Sequence, residues 1–381
     1  MASLSSPLSS PLKIPSVKVS LIIPVFNGGE DFRACLASIV SSRRHPYEVI
    51  VVADGDTDGS WQVAERFGAY VIRVAQSEGP AAARNRGAQA AQGDLLFFLD
   101  ADVTLHPTTL EQVVAVFEQD SDIDALIGSY DDAPGARNFL SQYRNLLHHY
   151  THQISSSQAS TFWGACGAIR RSAFMAVGGF DARYRKPCIE DIELGYRLKR
   201  AGYQIRLCKQ VQVKHLKRWR PLQMIQTDIF CRALPWTELL LRDRHPMNDL
   251  NLQVSNRLSV MCSFASVLAI APALFYPWAL GVSALALVVL FTLNFGIYSF
   301  FYHSRGARFT GQAMLWHWLF YVYSGGAYAL GMARHHLGVS QIPAPLTMPL
   351  DSGDEQAWES QSVGGRSGFS RSGDRRLIST R

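Results

Sequence analysis

The chain has 381 residues, a net charge of +6 and 48% apolar residues, which suffices for one large domain or two with attached segments. The charge is modest and no basic run alternates with aromatic residues, so the composition argues against a nucleic-acid partner. Six cysteines are scattered without a CxxC pair, which argues against a zinc site and a disulfide framework and favours a reduced, cytoplasmic environment.

Strands and helices alternate through the first 120 residues. Residues 1–16 lack the apolar core of a signal peptide and are predicted to be a disordered lead. The stretch "VKVSLIIPVF" is predicted to be a buried strand, and "YEVIVVADGD", "AYVIRVA" and "DLLFFLDAD" three more, each followed by a helix. This alternation predicts an α/β fold with a doubly wound, mostly parallel sheet.

Two of these strands end in acidic residues. Asp54 closes the second strand, and Asp100 and Asp102 close the fourth. Ligands of such sheets bind beyond the carboxyl ends of the strands, and residues two apart on a strand point the same way. A carboxylate pair there suits Mg²⁺ or Mn²⁺ together with the phosphate oxygens of a nucleoside diphosphate. A P-loop and a GxGxxG after the first strand are both missing, which disfavours ATPases and dinucleotide enzymes.

The second half of the chain contains long stretches without charge. No Asp, Glu, Lys or Arg occurs between Arg257 and Arg305, or between Arg308 and Arg334. The first stretch is long enough for two membrane spans and the second for one, so 257–337 is predicted to hold about three. A buried helical core is the alternative. Arginines flank the spans on one side, which predicts a multi-pass protein of the inner (plasma) membrane with a cytoplasmic catalytic domain.

Residues 221–256 carry apolar side chains at helical spacing. They are predicted to form an amphipathic helix on the membrane surface, broken at Pro235. A core helix packed on the catalytic domain is the alternative. The tail at 338–381 is predicted to be disordered.

Six motifs in a fixed order resemble the family 2 glycosyltransferases. They are "SLIIPVFNGG", "VVADGDTDGS", "GPAAARNRGAQAAQGDLLFFLDAD", "GACGAIRRSAFMAVGGFD", "EDIELGYRLKRAG" and "HLKRW". The resemblance covers about 17–219 and implies a catalytic domain at 17–220 with the nucleotide-sugar-binding α/β fold of that family. It also implies an inverting, metal-dependent transfer of a sugar from a nucleotide donor.

The resemblance implies a donor site and a metal site. Asp102 would bind Mg²⁺ or Mn²⁺, and Asp100 would lie near the ribose. Asp54 would contact the base, although Ala53 stands where the family often has a second acid. The other donor-binding residues implied are Pro24 and Arg84, the latter near the base or diphosphate. An exposed helical arginine is the alternative for Arg84.

The resemblance further implies an acceptor site. Asp191 would be the catalytic base, with Glu190 beside it; stabilisation of a helix dipole is the alternative for these two acids. Residues implied on the acceptor side are Gly164, Ala165, His215, Arg218 and Trp219. His215 replaces the glutamine of the family motif, so a basic, aromatic membrane anchor is the alternative for "HLKRW".

The sequence therefore predicts a membrane-anchored inverting glycosyltransferase that uses a nucleoside-diphosphate sugar, with UDP expected from the family. The acceptor is predicted to be a lipid or a lipid-linked glycan on the cytoplasmic face. A processive polysaccharide synthase and a non-catalytic nucleotide-sugar-binding membrane protein are the alternatives.

Overall fold

The computed structural model describes residues 17–243, 254–339 and 342–346. The predicted disordered lead and most of the predicted disordered tail lie outside these residues. The described chain consists of an α/β domain followed by a helical region.

One eight-stranded sheet forms the centre of the α/β domain, in the order β3-β2-β1-β4-β7-β6-β8-β5. Its strands are β1 Val19–Val25, β2 Glu48–Asp54, β3 Tyr70–Val74, β4 Leu95–Leu99, β5 Val103–Leu105, β6 Ala125–Tyr130, β7 Cys166–Arg170 and β8 Ile205–His215. Strands β3, β2, β1 and β4 pair in parallel, as the alternation of strands and helices predicts, and so do β6 and β8. The sheet is thus mostly parallel.

An antiparallel strand, β7, lies in the middle of this sheet between β4 and β6. Leu99 at the end of β4 pairs with Cys166 at the start of β7. The loop that precedes β7 therefore reaches the edge at which β4 ends. The short strand β5 pairs antiparallel with β8, so that Val103 lies opposite His215.

Helices cover both faces of the sheet. They are α1 Gly29–Val40, α2 Ser60–Arg66, α3 Pro80–Ala90, α4 Thr109–Gln119, α5 Phe139–Ile154, α6 Arg171–Ala176 and α7 Glu190–Arg200. Alternate residues of β1 enter opposite cores, because side chains of a strand point to opposite faces. Leu21 and Ile23 pack in one core with Phe32 of α1, and Ile22 packs in the other with Ala83 of α3.

The helical region begins directly after the sheet. It contains α8 Pro221–Gln226, a π-helix at Thr227–Ala233, α9 Leu234–Asp243, α10 Val254–Leu268, α11 Ile270–Ala273, α12 Ala279–Leu293 and α13 Phe295–His336. Helix α13 is interrupted at Gly306, whose φ of 81° is left-handed.

The segment predicted to lie on the membrane surface packs partly on the α/β domain instead. Leu239 of α9 is fully buried in a cluster with Tyr196 of α7, and the Trp236 indole N–H donates to the Tyr196 hydroxyl at 2.9 Å. Leu222 and Phe230, by contrast, are 67% and 61% exposed. The predicted break at Pro235 coincides with the change from π-helix to α-helix at Leu234.

The apolar helices contain fewer candidate spans than the three expected from the sequence. In the described part of the chain, one helical stretch, Val254–Ala273, is long and apolar enough to cross a membrane. Helices α12 and α13 would together provide a second, but they are bent by 67° relative to each other. A polar network joins the helices: Asn294 donates to the Ser259 hydroxyl at 2.9 Å and accepts from Tyr321 at 2.9 Å.

Candidate active site

Asp100 and Asp102 lie at the carboxyl end of β4, in the short turn that leads to β5. Their side chains are 34% and 29% exposed. The pairing of β5 with β8 brings His215 next to Asp102, with 3.6 Å between its Nε2 and the carboxylate Oδ2. The His215 ring is held by stacking on Tyr130, with 4.4 Å between ring centroids and an interplanar angle of 7°.

The carboxylate of Asp102 is suited to binding a cation. Burial would raise its pKa, but His215 and Lys217 outweigh that effect and lower it, so the group is ionised at neutral pH. No cluster of three or more His, Cys, Asp and Glu residues suited to a metal occurs in the described residues. The carboxylate and the adjacent imidazole nevertheless fit a divalent cation that takes its other ligands from substrate phosphates. His215 thus lies beside the predicted metal ligand rather than separately on the acceptor side.

Arg84 joins the acidic motifs of the site. It is 5% exposed, and its guanidinium donates to Asp100 Oδ1 at 2.8 Å and to Glu190 Oε1 at 2.9 Å. It is therefore not an exposed helical arginine. Its Nε is buried without an acceptor among the described residues, which leaves one donor free in the site. A β-carbon on Gly164 would lie 2.9 Å from Arg84 Cζ, so a larger residue there would require the loop or the guanidinium to shift.

Asp191 lies in the first turn of α7 and faces this loop. Its Oδ2 accepts the Gly164 N–H at 3.1 Å, and its Oδ1 accepts the N–H of Ile192 at 2.8 Å. Burial and the neighbouring Glu190 raise its pKa to about 6, although Arg84 and both N–H groups act to lower it. An acid that merely stabilises a helix start would have its pKa lowered by the helix dipole. Asp191 is instead suited to taking up a proton near neutral pH.

Glu190 differs from Asp191 although the two are adjacent in the chain. Its Oε1 accepts from Arg84, and its Oε2 accepts the N–H of Cys188 at 2.8 Å. Both oxygens of Glu190 are therefore engaged, and the side chain is 4% exposed. Both oxygens of Asp191 also accept hydrogen bonds, but only from backbone N–H groups, and its side chain is partly exposed, so Asp191 is the more accessible of the two acids.

The residues predicted to contact the base lie on neighbouring strands. Asp54 ends β2 and is 4% exposed; its carboxylate accepts hydrogen bonds from the Ser77 hydroxyl at 2.8 Å and from the N–H groups of Glu78 and Gly79 at 2.8 and 2.9 Å. These contacts hold the loop before α3, so Asp54 shapes this part of the cleft through that loop. Pro24 lies on β1, opposite Val52 of β2.

The remaining acceptor-side predictions divide into accessible and buried residues. Trp219 is 4% exposed and packs with Leu140 and Met224, so its ring has no free face on which a sugar could stack, contrary to the expectation. Trp219 is buried because residues of α5 and α8 pack against it. Arg218 is exposed, whereas Ala165 is buried, and the Ala165 carbonyl accepts the N–H of Asp100 at 3.5 Å.

Two groups of residues were missed by the sequence analysis. Trp163, Tyr130 and His148 form an aromatic cluster behind His215, with centroid separations of 4.6 to 4.8 Å. The second group is Arg144, Asp228 and Arg232. Its signal in the sequence was the i, i+4 pair Asp228 and Arg232 within an otherwise apolar stretch.

The sequence of the α/β domain matches two models of known protein families. Residues 20–178 match the model of glycosyl transferase family 2, and residues 145–220 match the model described as the N-terminal domain of galactosyltransferase. The α/β domain therefore matches glycosyl transferase family 2 over most of its length. The resemblance inferred from the six motifs is confirmed.

Individual relatives are also glycosyltransferases. The chain is 26% identical over 235 residues to the O-antigen chain rhamnosyltransferase WbaN of Salmonella anatum, covering 58% of this chain and 74% of that protein. It is 30% identical over 184 residues to the dolichol-phosphate mannosyltransferase of Pyrococcus furiosus, covering 47% and 49%. With several other curated relatives, the match spans about a third of their length.

A solved structure supports the fold. The mannosyltransferase PcManGT from Pyrobaculum calidifontis, in complex with GDP-Man and Mn²⁺, aligns with a TM-score of 0.52 and 17% identity over 82% of this chain and 87% of that one. The predicted α/β glycosyltransferase fold followed by a helical region is confirmed.

Proposed function

We propose that this protein is an inverting glycosyltransferase that moves a sugar from a nucleoside-diphosphate donor to a lipid or lipid-linked acceptor at the cytoplasmic face of a membrane. One observation carries the catalytic part of the proposal. Asp191 combines a pKa of about 6 with a partly exposed position beside Gly164, whereas its neighbour Glu190 is buried and forms an ion pair with Arg84.

In the proposed reaction, Asp191 accepts the proton of the acceptor hydroxyl as that oxygen attacks the anomeric carbon of the donor. The attack comes from the face opposite the departing diphosphate, so the anomeric configuration inverts. A retaining mechanism would need a second, free carboxylate as nucleophile. The nearest candidates, Asp100 and Glu190, are both bonded to Arg84.

Charge on the departing diphosphate must also be stabilised. Asp102, with His215 beside it, would hold Mg²⁺ or Mn²⁺, which as a Lewis acid would neutralise that charge. Arg84 holds Asp100 and Glu190 in place and keeps its Nε–H available to an anionic ligand. Mn²⁺ in the structure of PcManGT supports the choice of cation.

Three observations support a membrane location. Helix α12 exposes large apolar side chains such as Leu285 and Val288, at 63% and 60%, which is unusual for a helix in contact with water. The interhelical hydrogen bonds of Asn294 are of the kind that joins helices in lipid. A relative is a dolichol-phosphate mannosyltransferase, and that name supports a lipid acceptor.

The contacts of Arg305, which lies at the interruption of α13, support this orientation. It donates to the Gln142 side chain at 2.9 Å and to the Asp132 carbonyl at 2.6 Å. The segment at 305–308 therefore contacts the α/β domain and lies on the same side as that domain. The arginines in that segment favour the cytoplasmic side.

The substitution Asp191→Asn tests the proposal. Asn has almost the same size as Asp but cannot accept the proton, so transfer should fall by about 10²–10⁴-fold. Binding of UDP or GDP with Mn²⁺ should be unchanged, since Asp191 is not part of that site. Sugar transfer from labelled donors to a membrane lipid extract measures the first quantity, and calorimetry measures the second.

The companion variant Glu190→Asn serves as a comparison, because it should impair the protein by releasing Arg84 and so should change nucleotide binding as well. Near wild-type transfer by Asp191→Asn would remove Asp191 from the mechanism. Absence of transfer and of donor hydrolysis by the wild type with every extract would favour a non-catalytic binding protein.

A further inference from the structure

A cluster of charged residues lies where the α/β domain meets the helical region. Arg144 of α5 pairs with Asp228 Oδ1 at 2.8 Å, and Asp228 Oδ2 accepts the hydroxyl proton of Tyr323 on α13 at 2.7 Å. Asp228 is 3% exposed, so both of its oxygens are committed inside the protein. Arg232 lies four residues further along the π-helix.

The cluster contains two guanidinium groups and one carboxylate. The single acid, Asp228, pairs with Arg144. Arg232 has no hydrogen-bond or ion-pair partner among the residues that the structure describes. The side chain of Arg232 is exposed, so water solvates its charge when no ligand is bound. Two guanidinium groups beside one committed carboxylate give the cluster a net positive charge, which favours an anionic ligand from outside the chain.

The surroundings of Arg232 show where that anion would lie. The side chain is accessible to water. Desolvation by the surrounding protein and the positive charge of Arg144 nevertheless lower its pKa, whereas Asp228, Tyr130 and Asp191 act to raise it. A side chain that water reaches and that the protein also desolvates lies in a cleft. Tyr130 stacks on His215 of the metal-side pair, and Asp191 is the proposed base, so the cleft is that of the candidate active site.

The π-helix itself is a second feature of this place. Such helices are rare and occur frequently at functional sites, because the wider turn costs stability and persists where it places particular side chains. Here the π-helix carries both Asp228 and Arg232. Through Tyr323, it also contacts α13, whose partner α12 exposes a broad apolar surface.

We infer that Arg232 binds the phosphate or diphosphate group of a prenyl-type lipid acceptor, on the side of the cleft that faces the apolar helices. The inference rests on the proposed function and names the acceptor class of that site. A guanidinium group donates two parallel hydrogen bonds to a phosphate, which fixes the headgroup as well as attracting it. The apolar tail would extend along the helical region, and the acceptor hydroxyl would face Asp191.

Binding of farnesyl diphosphate to the full-length protein in detergent tests the inference without knowledge of the natural acceptor. The variant Arg232→Gln should weaken this binding by about tenfold or more, because a charge-assisted contact is lost. Arg232→Lys should retain part of it, since the charge remains. The matched control is Arg220→Gln, an exposed arginine twelve residues upstream, which should bind as the wild type does.

Three further probes identify the source of the anion. Binding of UDP or GDP with Mn²⁺ should be unchanged in Arg232→Gln; a loss confined to the nucleotide would make Arg232 a donor residue and overturn the inference. Farnesol should bind weakly and independently of Arg232; an equal loss for farnesol would show that the charge is irrelevant. Inorganic diphosphate that binds as tightly as farnesyl diphosphate would overturn the assignment to a lipid.

The test also separates the inference from the proposed function. Arg232-dependent binding of farnesyl diphosphate by a protein that transfers no sugar would uphold the lipid headgroup site and refute the transferase. If the wild type transfers sugar and Arg232→Gln changes neither this transfer nor the binding of farnesyl diphosphate, the transferase is upheld and the lipid headgroup site is refuted. Thermal unfolding of each variant identifies any that has lost its fold, and Arg232→Lys then serves as the deciding variant.

Discussion

Asp191 and Glu190 show how one residue's neighbours determine its chemistry. The two acids are adjacent, but Glu190 forms an ion pair with Arg84, whereas Asp191 faces Gly164 in a place where burial and the charge of Glu190 raise its pKa to about 6. The raised pKa means that Asp191 is protonated at a higher pH than a free aspartate. A base whose pKa lies just below neutrality is both ionised and a good proton acceptor at physiological pH.

This electrostatic state predicts a pH dependence. The value of kcat/KM should fall about tenfold per pH unit as the pH decreases below about 6, because the protonated form of Asp191 cannot accept a proton. Glu190→Gln removes the negative charge that helps to raise this pKa, so the acidic limb should move to lower pH. Initial rates between pH 4.5 and 8 measure both effects. An acidic limb near pH 4 in the wild type, or one that moves upward in the variant, would contradict the assignment.

At the scale of elements, the antiparallel strand β7 is decisive. Its pairing with β4 brings the loop at 161–165 to the end of β4, and this loop supplies the N–H that Asp191 accepts. The loop also passes within van der Waals distance of Arg84, which joins α3 to β4 and α7. The geometry of the site thus depends on the close approach of four elements.

The close approach predicts the effect of Gly164→Ala. The new methyl group would lie 2.9 Å from Arg84 Cζ and should displace the guanidinium from Asp100 and Glu190. Because misplacement by about 1 Å can cost roughly 10²-fold in rate, transfer should fall by about ten- to a hundredfold. Gly311→Ala in α13 is the matched control, since open space surrounds that position. Rates within twofold of the wild type in Gly164→Ala would show that the loop can move aside.

At the scale of the whole molecule, the helical region and the α/β domain are joined by polar contacts. Arg305 reaches the domain from the interruption of α13, and Tyr323 of the same helix contacts Asp228. Both contacts place the cleft beside the apolar helices, which suits an enzyme whose acceptor resides in a membrane.

The orientation of the molecule can be tested by labelling. After the native cysteines are replaced, Ala307→Cys should resist membrane-impermeant thiol reagents in intact spheroplasts and react after permeabilisation, because its segment lies on the side of the α/β domain. Leu274→Cys, at the far end of the candidate span Val254–Ala273 and 83% exposed, should react in intact spheroplasts. The opposite pattern would invert the proposed topology. Labelling of both cysteines in intact spheroplasts would show that no membrane separates the two positions.

The sequence by itself determined the local features of this protein. Alternating apolar residues specify β1, β2 and β4, and the acids at the ends of β2 and β4 follow from the same period, because side-chain direction in a strand depends only on spacing. The uncharged stretches likewise specify the apolar helices. The motif residues Asp102 and Asp191 could be singled out for their proposed roles because they stand in short, recognisable segments.

Only the tertiary structure decided what the distant segments do to one another. The burial of Trp219 under α5 and α8, the stacking of His215 beside Asp102 and the pairing of Arg84 with two acids all depend on contacts between elements far apart in the chain. That Arg232 has no ion-pair partner in the described part of the chain is visible only when Arg144 and Asp228 are seen to pair. Such contacts follow from strand order and helix packing. The periodicity of a sequence does not encode these, because periodicity specifies the direction of each side chain but not its partner.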